Sequence, residues 1–165
     1  MNLPIIIDVE ASGFGKNGYP IEVGIITENA STWCSLITPE DDWQHWDESA
    51  ENAHNIKREF LYTHGKSAKE IAQQLNEKLH NKIVYTDGWM HDYVWISRLF
   101  DAANLTQRFK LEDLRNVLTE QQQATWHATK DQVLKELNET RHRASIDAKV
   151  IQITWLRTRS SSSST

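Results

Sequence analysis

The stretch that most constrains this chain is Pro4-Ile5-Ile6-Ile7-Asp8-Val9-Glu10, three consecutive isoleucines that run directly into two acids. β-Branched residues in succession favour a strand, and an unbroken apolar run, unlike an alternating one, needs packing layers on both of its faces. Such a strand belongs inside an α/β sheet. With 165 residues, 39% of them hydrophobic, the chain has the size and apolar content for one domain with a true core. The longest apolar stretches are a handful of residues, far from the roughly 20 that span a bilayer, so no membrane segment is expected. The N-terminus reaches Asp8 and Glu10 without a basic segment, so no secretory signal is expected either. The single cysteine, Cys34, lies in an apolar strand-like stretch from Trp33 to Ile37 and is expected to be a small buried residue of a cytoplasmic protein.

Further along, residues 21–27 alternate as a second strand after the Gly-rich turn Ser12 to Pro20, which suits a hairpin, and residues 32–38 supply a third. Helical spacing begins near Ser49, with Ala50, Ala53, His54, Ile56 and Phe60 on one face. A second helix starts at Ser67, which can cap it, with Glu70 at the capping-box position and Ile71, Ala72, Leu75 and Leu79 as its apolar face. Residues 82–86 read as a short strand, and 89–103 as a helix burying Val94, Trp95, Leu99 and Ala102. An extended piece at 108–111 precedes helices at 112–119, 131–138 and 144–156. The pattern predicts a mixed α/β sheet, three antiparallel strands plus shorter ones, with helices packed around it. The expected organisation is one domain over residues 1–158 and a Ser-rich disordered tail over 159–165. Of the seven tryptophans, Trp33, Trp95 and Trp155 fall at strand or helix-face positions that suit the core.

Period two turns Asp8 and Glu10 to the same side of the first strand. Two like charges ending a buried strand repel each other unless a cation lies between them, and hard oxygen ligands suit magnesium or manganese. The alternative is a solvated pair of strand-end acids. A further acid follows the strand at 82–86, either Asp92, near the start of a helix with inward-facing Trp95, Ile96 and Leu99, or Asp87 in the turn Thr86-Asp87-Gly88. Asp92 is the preferred ligand and Asp87 the alternative. His142 and Asp147 lie about 140° apart on a continuous helix, so they could not both aim at one point from one face, but they can converge if His142 sits in the approach to the helix and Asp147 within its second turn.

Asp8-Val9-Glu10-Ala11-Ser12-Gly13-Phe14, then Asp92, then His142 with four residues before Asp147, resemble the three motifs of the DEDDh family of 3′-5′ exonucleases. That family has a ribonuclease-H-like fold and includes ribonuclease T, oligoribonuclease and the proofreading subunit of bacterial replicative polymerase. The likeness extends from residue 5 to about residue 156. It departs at Thr86 to Asp92, where many members carry a His-Asn pair and an aromatic residue before the acid, and this keeps Asp87 in play.

The resemblance implies a ribonuclease-H-like mixed sheet and a site in which Asp8, Glu10, Asp92 and Asp147 hold two Mg2+ or Mn2+ ions. His142 would be the general base, a task for which imidazole is suited near neutrality, with Glu10 also in the catalytic set. Backbone groups near Ala11 and Ser12 would meet the terminal sugar, and Phe14 would wedge against the terminal base. Trp89 is a candidate stacking platform because it lies beside the motif containing Asp92. The implied reaction is hydrolysis at the 3′ end of single-stranded DNA or RNA, or of a 3′ overhang, releasing nucleoside 5′-monophosphates. An oligoribonuclease-like enzyme for short RNA, or a non-catalytic binding or docking module of the same fold, are the other readings. A monomer or homodimer is compatible with all of them. The 18 basic and 23 acidic residues leave a net charge of -5, which argues against a long basic track around duplex DNA. Lys57-Arg58, Lys66, Lys69, Arg141 and Arg143 could hold a few phosphates or simply be solvated.

Overall fold

The computed structural model describes residues 2–138 and 142–161. Among these residues, five strands form one mixed sheet in the order β3-β2-β1-β4-β5, where β1 is Ile6–Ala11, β2 Pro20–Ile26, β3 Thr32–Leu36, β4 Ile83–Thr86 and β5 Lys110–Asp113. β1 runs antiparallel to β2 and parallel to β4, so the strand with the isoleucine run is the central one. Ile7, Val9 and Ala11 pack into the larger core on one face, and Ile6 packs on the other face with Ile26, Trp126, Ile151 and Trp155. Ile6 and Ile7 are wholly buried, and burial of each such side chain contributes about 1.5–3 kcal/mol.

Among the described residues, six helices pack around the sheet: α1 Glu48–His54, α2 Arg58–His64, α3 Ala68–Leu79, α4 Trp89–Ala103, α5 Glu120–Leu137 and α6 Ala144–Ser161. α3 follows its sequence signals, with the Ser67 side chain accepting from Glu70 N–H and Ile71, Ala72, Leu75 and Leu79 buried. Elsewhere the chain departs from expectation. The helical stretch after Ser49 is two helices, because Asn55 adopts a left-handed conformation (φ 57°) that ends α1, and Phe60 is left exposed. α4 buries Trp95, Ile96, Leu99, Phe100 and Ala103, while Val94 and Ala102 lie on its outer side. Glu112 and Asp113 pair with β4 instead of opening a helix, and only a 3-10 turn, Leu114–Val117, follows.

The expected helix at 131–138 is the second half of α5. α5 begins at a capping box formed by Thr119 and Gln122, and its first turns are rich in Gln, Thr and His, so hydrophobic periodicity is faint there. α6 continues through Arg159 and Ser160, into the stretch expected to be a disordered tail; residues 162–165 lie outside the described residues, as does Arg141. Cys34 is exposed rather than buried, since β3 is an edge strand with a partner on one side only. Trp95 and Trp155 are buried as expected, and Trp33 is partly buried against the core. Among the described residues, no helix is long and apolar enough to cross a membrane.

Candidate active site

β1 carries Asp8 and Glu10 on one face, two residues apart, toward the C-terminal end of the central strand. α4 starts directly after β4 and delivers Asp92 from its first turn. α6 supplies Asp147, also from its first turn rather than from the second as expected, because the helix starts only at Ala144. His142 lies before α6, with its backbone N–H bonded to Ala53 O of α1, and its Nδ1 is 3.5 Å from Asp147 Oδ2. The approach and the helix thus converge, as the pairing requires. All five side chains line one cavity of about 440 Å³, together with Ala11, Phe14, His54, Asp87, His91, Trp95 and Lys130. Crevices beyond the carboxyl ends of strands are the usual place for a ligand in α/β sheets.

The start of α6 is fixed by a buried acid on the neighbouring strand. Glu22, opposite Glu10 in the β1–β2 ladder, is 1% exposed. It forms a two-pronged ion pair with Arg143 and accepts the N–H of Ala144 at 2.8 Å. A carboxylate here complements the positive end of the helix. Gly24 lets α6 sit on the sheet, since a Cβ at this position would lie 2.3 Å from Ser145 N and 2.4 Å from Ala144 C. Gly24 is the ladder partner of Asp8, so α6 descends directly beside the acids.

Packing four carboxylates together has a clear electrostatic cost. Burial pushes Glu10 up to about 9, with Asp147, Glu22 and Asp92 adding to it. Burial raises Asp92 to about 7 against the opposing hydrogen bond from the Thr86 hydroxyl, and Asp87 raises it further. Asp8 stands well above the ordinary carboxylate range through burial first and then Asp92, Glu10, Asp147 and Asp87. Asp147 is raised by burial, with Glu10, His142 and Lys130 working the other way. Protonation relieves this repulsion, and so would divalent cations. The donor set of carboxylate oxygens and one imidazole suits such ions, and ligand atoms of Glu10, His142 and Asp147 lie within 4.8 Å of one another.

The remaining sequence candidates divide. Phe14 is 69% exposed at the cavity and lies against His91 and Trp95, with ring centroids 4.8 and 5.9 Å away. Ala11 lines the cavity. Ser12 is fully buried, its hydroxyl bonded to His45 and accepting from Tyr19 N–H. Trp89 stacks on Tyr93 at 5.0 Å and is not among the cavity-lining residues. Asp87 lines the cavity but accepts a hydrogen bond from Lys130 Nζ at 2.7 Å, whereas Asp92 is 4% exposed.

Three contributors had no functional reading in the sequence. Lys130 sits on α5 ahead of the stretch expected to be helical, and the Thr119–Gln122 capping box is the sequence signal that marks the true start of that helix. His54, 2% exposed, lines the cavity from the end of α1, where helical spacing alone points only to an apolar face. Glu22 was hidden in a strand that otherwise alternates.

No protein-family model matches the sequence, and no curated protein sequence matches it. Solved structures do. E. coli exonuclease I in complex with a dT13 oligonucleotide superimposes with a TM-score of 0.70 at 12% identity, covering 98% of this chain and 42% of that one. A product-bound structure of exonuclease I gives a TM-score of 0.65 at 12% identity, over 98% and 45% of the two chains. The zinc-bound form of the E. coli exonuclease I complex with single-stranded DNA gives 0.65 at 13%, over 96% and 41%. This chain therefore spans less than half the length of these structures, and what it shares with them is the ribonuclease-H-like fold of exonuclease I.

Proposed function

We propose that this chain is a metal-dependent 3′-5′ exonuclease of the DEDDh type, hydrolysing phosphodiester bonds at the 3′ end of a single strand and releasing nucleoside 5′-monophosphates. The observation that carries this reading is the meeting of Asp8, Glu10, Asp92, Asp147 and His142 in one cavity beside the central strand. The fold likeness to exonuclease I bound to single-stranded DNA supports it, and favours single-stranded DNA as the first substrate to test.

Asp8, Glu10, Asp92 and Asp147 would hold two divalent ions, magnesium or manganese, which would supply the positive charge needed to admit a phosphodiester and to stabilise the attacking and leaving oxygens. Asp147 faces His142 Nδ1 and favours the tautomer with its proton there. His142 Nε2 is then left to take a proton from the attacking water. The exposed ring of Phe14, backed by His91 and Trp95, can stack on a terminal base without choosing among bases. The Ala11 backbone, at the cavity wall, would contact the terminal sugar. Trp89 stacks on Tyr93, and this reading assigns it no substrate contact.

End-labelled DNA and RNA oligomers, single-stranded, duplex or with overhangs, incubated with magnesium, manganese or chelator, test the reading. Metal-dependent shortening from the 3′ end by the wild type, lost in Asp8→Ala, is expected. Absence of shortening on every substrate would reject it. The ratio of DNA to RNA turnover assigns the sugar preference, which turns on a partner for the 2′-hydroxyl.

A further inference from the structure

Among the described residues lining the acidic cavity, Lys130 is the only lysine or arginine. It projects from α5 one turn before Leu134, which lines the same wall. Its side chain is 31% exposed, and Nζ donates to Asp87 Oδ2 at 2.7 Å. Lys130 and Asp87 also line a second cavity of about 280 Å³, whose other walls include Arg115, Trp126 and His127. The pair is thus a partition between two cavities, and the ammonium can be approached from either side. Arg143, by contrast, is committed to Glu22.

Charge bookkeeping gives this lysine a task. Asp8, Glu10, Asp92 and Asp147 carry four negative charges when ionised, which two divalent cations balance. Lys130 balances Asp87. An incoming strand brings one more negative charge per phosphodiester, and among the described residues of the cavity wall there is no other lysine or arginine to receive it. Burial works against the ammonium, but Asp87, Asp8 and Asp147 outweigh it, so the group stays charged. A lysine head is a compact charge on a flexible stem and can turn from one oxygen partner to another.

We propose that Lys130 is a substrate-contacting residue, its ammonium receiving a phosphodiester of the strand whose 3′ end lies in the acidic cavity, with Asp87 holding it in place until the strand arrives. This rests on the exonuclease reading above. It also assigns Asp87 a role as partner of a substrate contact rather than as a metal ligand.

The test uses Lys130→Gln, Lys130→Arg and the double variant Lys130→Gln/Asp87→Asn, which leaves no unpaired carboxylate if the single change harms folding. Binding of a fluorescent single-stranded oligonucleotide is followed by anisotropy across a salt series with calcium in place of magnesium, and kcat and KM are measured with magnesium. Lys130→Gln is expected to raise Kd and KM about tenfold, with kcat changing much less. Its salt slope is expected to become shallower by about 0.7 for the lost phosphate contact. Lys130→Arg should retain most binding, and the double variant should remain weak. Wild-type Kd and salt slope in Lys130→Gln would overturn the proposal. So would full recovery in the double variant, since Lys130 would then be only a counter-ion for Asp87. Lys130-dependent binding without any strand shortening by the wild type would leave this contact standing and reject the exonuclease reading. A wild type that neither binds nor cleaves would reject both.

Discussion

Glu22 and Arg143 are joined by a two-pronged ion pair at the foot of α6, and Glu22 also accepts the first N–H of that helix. The pair ties the strand beside Glu10 to the helix that carries Asp147. Replacing Glu22 by Gln removes a 1% exposed charge and leaves Arg143 without its partner. Loss of about 3 kcal/mol in chemical denaturation is expected. Glu22→Gln/Arg143→Met should lose less than the two single changes together, and simple additivity would show that the two residues do not act as a pair.

Gly24 gives a second handle on the same helix. Its Cβ in Gly24→Ala would collide with backbone atoms of Ala144 and Ser145, which cannot rotate away. The change is expected to cost about 3 kcal/mol and to lower kcat/KM about a hundredfold by displacing Asp147 and His142. Wild-type stability and turnover would mean that α6 can shift without consequence for the site.

Most of this framework was legible in the sequence, for reasons visible in particular residues. The isoleucine run could only be a central strand, and the Ser67 cap with Ile71, Leu75 and Leu79 could only be a one-faced helix. Asp8, Glu10, Asp92, His142 and Asp147 stand out in the sequence by their order and spacing, and the fold brings them to one cavity. What escaped lacked local periodicity or depended on remote packing. α5 is polar along much of its length, so its start and Lys130 were missed. Cys34 reads as core in its own strand, and only its edge position exposes it. Trp89 is adjacent in sequence to the site but faces Tyr93.

Phe14 separates substrate contact from stability. Because the ring is 69% exposed, Phe14→Ala should leave the melting temperature unchanged. Loss of base stacking, worth on the order of 1–3 kcal/mol, should raise KM for an oligonucleotide by about five- to a hundredfold. An unchanged KM would remove Phe14 from the substrate contacts.

The raised acids make the metal-free protein sensitive to alkali. Glu10 moves from an ordinary 4.5 to about 9, so between those values the folded protein holds a proton that the unfolded chain has released. Raising pH from 7 to 9 therefore lowers stability in chelator, by about 1 kcal/mol per pH unit from this group. Manganese should restore the loss, by an amount that grows with pH, because it displaces the proton. Thermal melts at pH 7, 8 and 9 with chelator or manganese check this. A chelated protein whose melting temperature is flat or rises over that range would contradict it.

The most direct measurement follows a 5′-labelled single-stranded DNA oligonucleotide on a sequencing gel, with wild type and Asp147→Asn, in magnesium or chelator. Wild type in magnesium should produce a ladder shortened one nucleotide at a time from the 3′ end. Chelator should abolish it, and Asp147→Asn should slow it more than about a hundredfold. No ladder in magnesium, or a ladder that survives both chelator and Asp147→Asn, would contradict a metal-dependent exonuclease built on these acids.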